Sequence, residues 1–187
     1  MRILFIPFVL LAVAACSSEP VSFSEPVGIN VNVTKSSDLT ASGAISGNKS
    51  INTETSNPYG KFVGDAMVAL GGVNPTRIET SSVSLQVGAS SKNVTKLEQV
   101  FAGDVFVDFI MNTSNNTYNV AKVTNPTGTG SVGMNVLFNG SAVAAPDFPQ
   151  LLTGSFKVVV RGTAATGYAA LAAEPVIQVT LTFEAFK

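Results

Sequence analysis

The chain has no histidine, no tryptophan and a single cysteine, Cys16, in 187 residues. Without histidine it lacks the commonest general base near neutral pH and the commonest transition-metal ligand. Without tryptophan it lacks the aromatic most used to stack on sugar rings. One thiol cannot close a disulfide within the chain or build a thiolate cage for a metal. Charge is also scarce, with Asp, Glu, Lys and Arg together only 12% of the residues. From Lys35 to Lys187 the lysines and arginines stand singly, whereas a nucleic-acid footprint gathers them on one face or stripe. These absences argue against nucleic acid as a partner, and they imply no cofactor, no metal site and no enzyme.

What is present begins with a leader. Arg2 is followed by a nearly unbroken apolar run from Ile3 to Val13, the pattern of a secretory signal peptide and too short for a stable bilayer-spanning helix. The run closes on Leu11-Ala12-Val13-Ala14-Ala15-Cys16. Val13-Ala14-Ala15-Cys16 resembles the lipobox of bacterial lipoproteins. The resemblance covers the leader alone, and the family of the remaining chain is not recognised. It implies cleavage between Ala15 and Cys16, acylation of Cys16, and loss of residues 1–15. Ser17, being other than aspartate, is what such lipoproteins of Gram-negative bacteria carry when they pass to the outer membrane. Loss of Arg2 leaves ten basic residues against 12 acidic ones, a formal charge of about −2 that suggests no polyelectrolyte partner.

Residues 16–22 then read as the lipidated N-terminus and a polar tether, and residues 23–187 as one domain. In that domain the dominant period is two, the signature of strands with one buried and one wet face. Val27, Ile29, Val31 and Val33 alternate with small or polar residues, as do Val83, Leu85 and Val87. Val105, Val107, Phe109 and Met111 share one face while Phe106 and Ile110 occupy the other, which predicts a central strand covered on both sides. A strand at Tyr118–Val123, reached through the polar run Asn112-Thr113-Ser114-Asn115-Asn116, is expected to pair with it as a hairpin. Further strands are predicted with Val132, Met134, Val136 and Phe138 on one face, with Phe156, Val158 and Val160, and with Ile177, Val179, Leu181 and Phe183. Turns at Asn125-Pro126, Asn139-Gly140 and Arg161-Gly162 punctuate them. The expected fold is all-β: an antiparallel β-sandwich, immunoglobulin-like in general architecture, with one short amphipathic helix.

The helix is predicted between Asn57 and Gly72, where Tyr59, Phe62, Val63, Ala66, Met67 and Leu70 recur at three and four. Asn57 suits the N-cap, Pro58 the first helical position, and Gly71-Gly72 a left-handed stop. Its stripe is expected to be core, plugging an open end of the sandwich or covering a sheet edge. Residues 35–56, rich in Ser, Thr, Asn and Gly, read as a loop with one short strand, and Ala164–Ala173 as a helical turn or loop.

Several motifs are weaker than they look. Gly128-Thr129-Gly130-Ser131-Val132-Gly133 has dinucleotide-fingerprint spacing, but a strand rather than a helix follows it. Ser46-Gly47-Asn48-Lys49 has the spacing of a serine–lysine nucleophile pair without its companion motifs. Asp104 and Asp108 project from one face of a strand with Phe106 between them. At about 13 Å apart they are too wide for one ion, and Asp108 is expected to pair with Lys122 or Lys157. Six Asn-x-Ser/Thr sequons, at Asn32, Asn48, Asn93, Asn112, Asn115 and Asn139, read as composition beside a bacterial leader. Tyr59, Tyr118 and Tyr168 offer apolar faces with polar tips for a sugar site, Tyr59 already belonging to the helix stripe.

The functional expectation is an exported, lipid-anchored protein of the bacterial cell envelope, held in the outer membrane through the lipid on Cys16, with a binding or structural role. Its partners are then the membrane and other envelope proteins, and its ligand-binding residues are unknown. The alternative is a glycan-binding or adhesive surface module. A third reading is a carboxylate-dependent glycosidase, which requires two carboxyls converging in a cleft.

Overall fold

The computed structural model describes residues 21–54 and 57–187. The expected signal peptide, its expected cleavage between Ala15 and Cys16, and the expected lipid site at Cys16 lie outside the described residues. Strands β1 (Ser22–Asn32), β2 (Ala44–Ser50), β3 (Arg77–Val87), β4 (Phe101–Met111), β5 (Thr117–Thr124), β6 (Val132–Gly133), β7 (Asn135–Val136), β8 (Phe156–Ala164) and β9 (Val176–Phe186) are joined by helices α1 (Pro58–Ala69) and α2 (Phe148–Leu152) and by short 3-10 turns. They form two antiparallel sheets, in the orders β1-β9-β3-β6 and β2-β8-β4-β5-β7. The protein is an all-β sandwich, with the general two-sheet architecture that the period-two pattern predicts. The first and last long strands are neighbours, Ser22 lying opposite Phe186. β1 thus begins at the last residue of the stretch assigned to the tether.

The reason these strands form is clearest in β9. Ile177, Val179, Leu181, Phe183 and Ala185 are all fully buried, while every residue between them is partly exposed. Each residue of that inner set adds apolar area removed from water, at about 25 cal/mol per Å². Rings knit the core: Phe109 of β4 lies 6.0 Å from Phe183 of β9 in the other sheet, and 5.0 Å from Phe156 of β8 in its own.

Helix α1 follows its local signals. Asn57 Oδ1 accepts from the Tyr59 amide at 3.0 Å. At the other end Gly72 N–H donates to the Met67 carbonyl and Gly71 N–H to that of Val68, a Schellman closure with both glycines at positive φ. β1 and β2 meet at the Val33–Gly47 bridge, and α1 fills the side of the sandwich beside β1. There Phe62 stacks on Phe23 at 6.1 Å, and Tyr59 sits between Phe183 of one sheet and Phe156 of the other at 4.9 and 5.1 Å. The stripe is core, except that Met67 is half-buried.

Four expectations change. The predicted strand from Val132 to Phe138 is split: β6 pairs with β3 in one sheet and β7 with β5 in the other. The alternation is real, since Val132, Met134 and Val136 pack against the core, but the segment crosses the open flank from one sheet to the other. β3 is longer than its pattern, because a bulge between Thr80 and Ser82 shifts the parity so that Ile78 and Thr80 face inward before it and Val83 and Leu85 after it. β4 is central in its sheet, but among the described residues no second layer covers its outer face, and Phe106 and Ile110 are only half-buried. α2, preceded by the buried Asp147, lies in a stretch to which the sequence assigns no element.

Candidate functional site

The outer face of β4 is where the structure gathers the most varied chemistry. Phe106 lies opposite Lys122 of β5 and Arg161 of β8. Residues directly opposite share a face, so both cations converge on the ring. The Arg161 guanidinium carbon is 4.1 Å and the Lys122 Nζ 5.4 Å from its centroid, within cation–π range. Asp104 accepts from Lys122 Nζ at 2.7 Å and from the Thr124 hydroxyl at 2.5 Å. Those two contacts, Lys122 first, hold its carboxyl below the usual carboxylate range. At the other end of the row, Asp108 Oδ2 accepts from Arg161 Nε at 2.6 Å. Asp108 is only 2% exposed and its Oδ1 has no partner.

The pairing of Asp108 with Lys122 or Lys157 is therefore corrected to Arg161. Two register shifts in β4 decide this: a bulge against β5 brings Asn119 opposite Asp108, and an irregularity against β8 after Ala102 puts Arg161 opposite Phe106. Lys157 lies opposite Ile110, and Lys122 is taken by Asp104. The turn expected at Arg161-Gly162 is corrected too: β8 runs through both residues to Ala164, paired with β2, because the glycine fits the ladder there, and only the outward parity of Arg161 beside Val158 and Val160 is visible in sequence. Between β2 and this row lies a groove of about 560 Å³, lined among others by Ser46, Thr163, Asp104, Phe106 and Arg161. Its chemistry is the hydroxyls of Ser46 and Thr163, the Asp104 carboxylate already bonded to Lys122 and Thr124, and one guanidinium, which suits a polar ligand held by directed hydrogen bonds.

The three tyrosines do not assemble. Tyr59 is buried in the core and its hydroxyl donates to the Leu151 carbonyl at 2.9 Å. Tyr168 is buried beyond the far ends of the strands, donating to the Thr34 carbonyl at 2.5 Å. Tyr118 donates to Asp147 Oδ2 at 2.6 Å. Burial raises the proton affinity of all three phenols, reinforced at Tyr118 by Asp147. Asp147 itself is fully buried and has no cation among the described residues. Burial opposes its charge, but hydrogen bonds from Tyr118, Ser114 and Asn116 outweigh that and hold its carboxyl below the usual range. This knot ties the β4–β5 hairpin to the start of α2.

Two other charge clusters lie at the ends of the sandwich. Glu174 accepts from both Lys35 and Lys92 at 3.2 Å beside a small cleft of about 220 Å³, and those lysines, Lys35 first, depress its carboxyl. Glu25 and Asp65 do converge, but on the ammonium of Lys61, at 2.8 and 2.5 Å. Among the described residues no group of three or more His, Cys, Asp or Glu could hold a metal ion. No described helix is long and apolar enough to cross a membrane.

No protein-family model matches the chain, and no curated protein matches it. Among solved structures, that of the empty head of Turnip Yellow Mosaic Virus is 12% identical and is aligned over 100% of this chain and 90% of its own, with a TM-score of 0.30. A likeness at that score carries no argument about this protein.

Proposed function

We propose that this is an exported, lipid-anchored protein of a bacterial envelope, held in the outer membrane through acyl chains on Cys16, and that its β-sandwich binds another envelope component rather than catalysing a reaction. The observation that carries the reading is the junction of leader and fold. β1 starts at Ser22, six residues after the cysteine of the lipobox-like Val13-Ala14-Ala15-Cys16, so a folded module follows directly on the anchor. The binding role is supported by the outer face of β4, where Asp104 and Asp108 each have a cation of their own, an arrangement for recognition and stability more than for proton transfer. Protease treatment of intact against lysed cells, with Cys16→Ala as control, tests the placement. Release of the Cys16→Ala protein from the membrane fraction is expected, and its full retention would end the reading. Pull-down from solubilised envelope with wild-type and Phe106→Ala protein tests the binding face, and an identical set of captured proteins would exclude it.

A second reading, a glycan-binding surface module, is favoured by the groove lined by Ser46, Thr163, Asp104 and Arg161. Hydroxyl, carboxylate and guanidinium groups are the partners that sugar hydroxyls use. Cleavage by protease on intact cells together with a glycan-array signal lost in Thr163→Val would favour it; an array without signal from folded protein would remove it.

A further inference from the structure

The end of the sandwich nearest the anchor carries an apolar surface that the core does not explain. Ser22, Phe186 and Arg77 lie side by side across three strands of one sheet, and the α1 terminus reaches the same end, with Lys187 Nζ against Gly71 and the Lys187 amide donating to the Val21 carbonyl. Here three large apolar side chains face solvent: Val21 is 53%, Val68 79% and Val73 40% exposed. Among the described residues the fourth of this kind, Leu137, belongs to the segment after β7. Val68 is the most exposed of them. It stands in the last turn of α1, outside the buried stripe, where a helix facing only water carries a polar residue.

We propose that this end, Val21, Val68 and Val73, rests on the membrane leaflet that holds the acyl chains of Cys16, which points the loops at the opposite end, around Ser90 and Glu174, away from the bilayer. The proposal rests on acylation at Cys16. The argument is one of chain length: from Cys16 to Val21 the backbone reaches at most about 18 Å at 3.3–3.6 Å per residue. A domain tied that closely cannot drift far from the headgroups, and the patch touches the surface at a high effective concentration. Three valines alone would bind a bilayer weakly, as a single short lipid chain does; on a short leash the same patch sets an orientation. Its aliphatic composition fits the headgroup and acyl boundary, and the nearby Lys187 ammonium suits anionic headgroups.

The test uses the full lipidated protein reconstituted in phosphatidylcholine–phosphatidylglycerol vesicles containing brominated lipid. With the Cys16 thiol acylated, one introduced cysteine, Val68→Cys or Ser90→Cys, takes a bimane label. Both sites are exposed, so neither label disturbs packing. Quenching at 68 with none at 90 is expected, and adding Val73→Asp should reduce quenching at 68. Equal absence of quenching at both sites in protein that floats with the vesicles would overturn the orientation while leaving the anchor intact, and a second copy covering the patch would give that result. Protein that does not float would overturn acylation and orientation together.

Discussion

Replacing Arg161 with alanine strands a carboxylate. Asp108 is 2% exposed, its Oδ1 already lacks a partner, and Arg161 Nε is the donor to its Oδ2. Removing one member of a buried pair costs about 3–5 kcal/mol, but the Arg161 side chain is 44% exposed and water can enter where it was. That discount, with roughly 0.5–1 kcal/mol for the lost contact on Phe106, puts the expected loss at about 2–3 kcal/mol. At about 2–4 °C per kcal/mol for a chain of this size, the melting point falls by roughly 5–10 °C. The assay is urea unfolding followed by circular dichroism, with an unchanged m-value as the sign that stability alone moved. Because the penalty comes from the stranded charge, the Asp108→Ala, Arg161→Ala double variant is expected to be more stable than Arg161→Ala alone. A double variant as unstable as the sum of the singles would refute the reasoning, since it would mean that Asp108 does not depend on Arg161.

Tyr59→Phe keeps the ring contacts but removes the hydroxyl's bond to the buried Leu151 carbonyl, which still accepts from the Gly154 amide at 3.3 Å, an expected loss of about 0.5–1.5 kcal/mol measurable in the same urea assay. Gly47→Ala would place a Cβ 2.1 Å from the Asn32 carbonyl oxygen and 2.8 Å from Val33 Cα, so the β1–β2 junction must part, at about 1–3 kcal/mol. Gly64→Ala, in the interior of α1 with open space around it, is expected to stabilise by about 0.5–1 kcal/mol, giving the same substitution opposite signs in thermal melts. The Asp147 carboxyl is lowered in the folded state. Its contribution is therefore full above the ordinary carboxylate range and is lost as pH falls through the depressed folded value. Asp147→Asn should lower stability near neutral pH and flatten the acid limb of the unfolding curve, and an acid limb identical to wild type would contradict this.

What was legible follows from how local each determinant is. The inner faces of β1 and β9 read directly from Val27, Ile29, Val31, Val33 and Ile177 to Phe183, because one-sided burial imposes its period on the residues themselves. The limits of α1 were as plain, since Asn57, Pro58 and Gly71-Gly72 act within a turn of where they stand. The parts that were missed depend on register, which no single stretch contains. The bulge at Ser81 hid half of β3 by reversing parity, and the crossing of β6 and β7 preserved alternation while changing sheets, so the pattern alone read as one strand. β2 was reduced to one short strand in a loop because only Ile45 and Ile51 are apolar there, its place being set by pairing with β8. The candidate face is the extreme case. Asp104, Phe106 and Asp108 were visible as a row, yet the residue opposite each is fixed by irregularities against β5 and β8 that shift pairing on both sides of β4. Shifting a register by one residue exchanges the faces of a strand, so pairing each acidic residue with the nearest plausible lysine failed while the row itself was placed correctly. Arg161 holds the buried Asp108, covers Phe106 and lines the groove, and so couples the stability of the sheet to the shape of the surface proposed to bind. A substitution there is expected to alter both, whereas Thr163→Val touches the groove alone and separates recognition from folding.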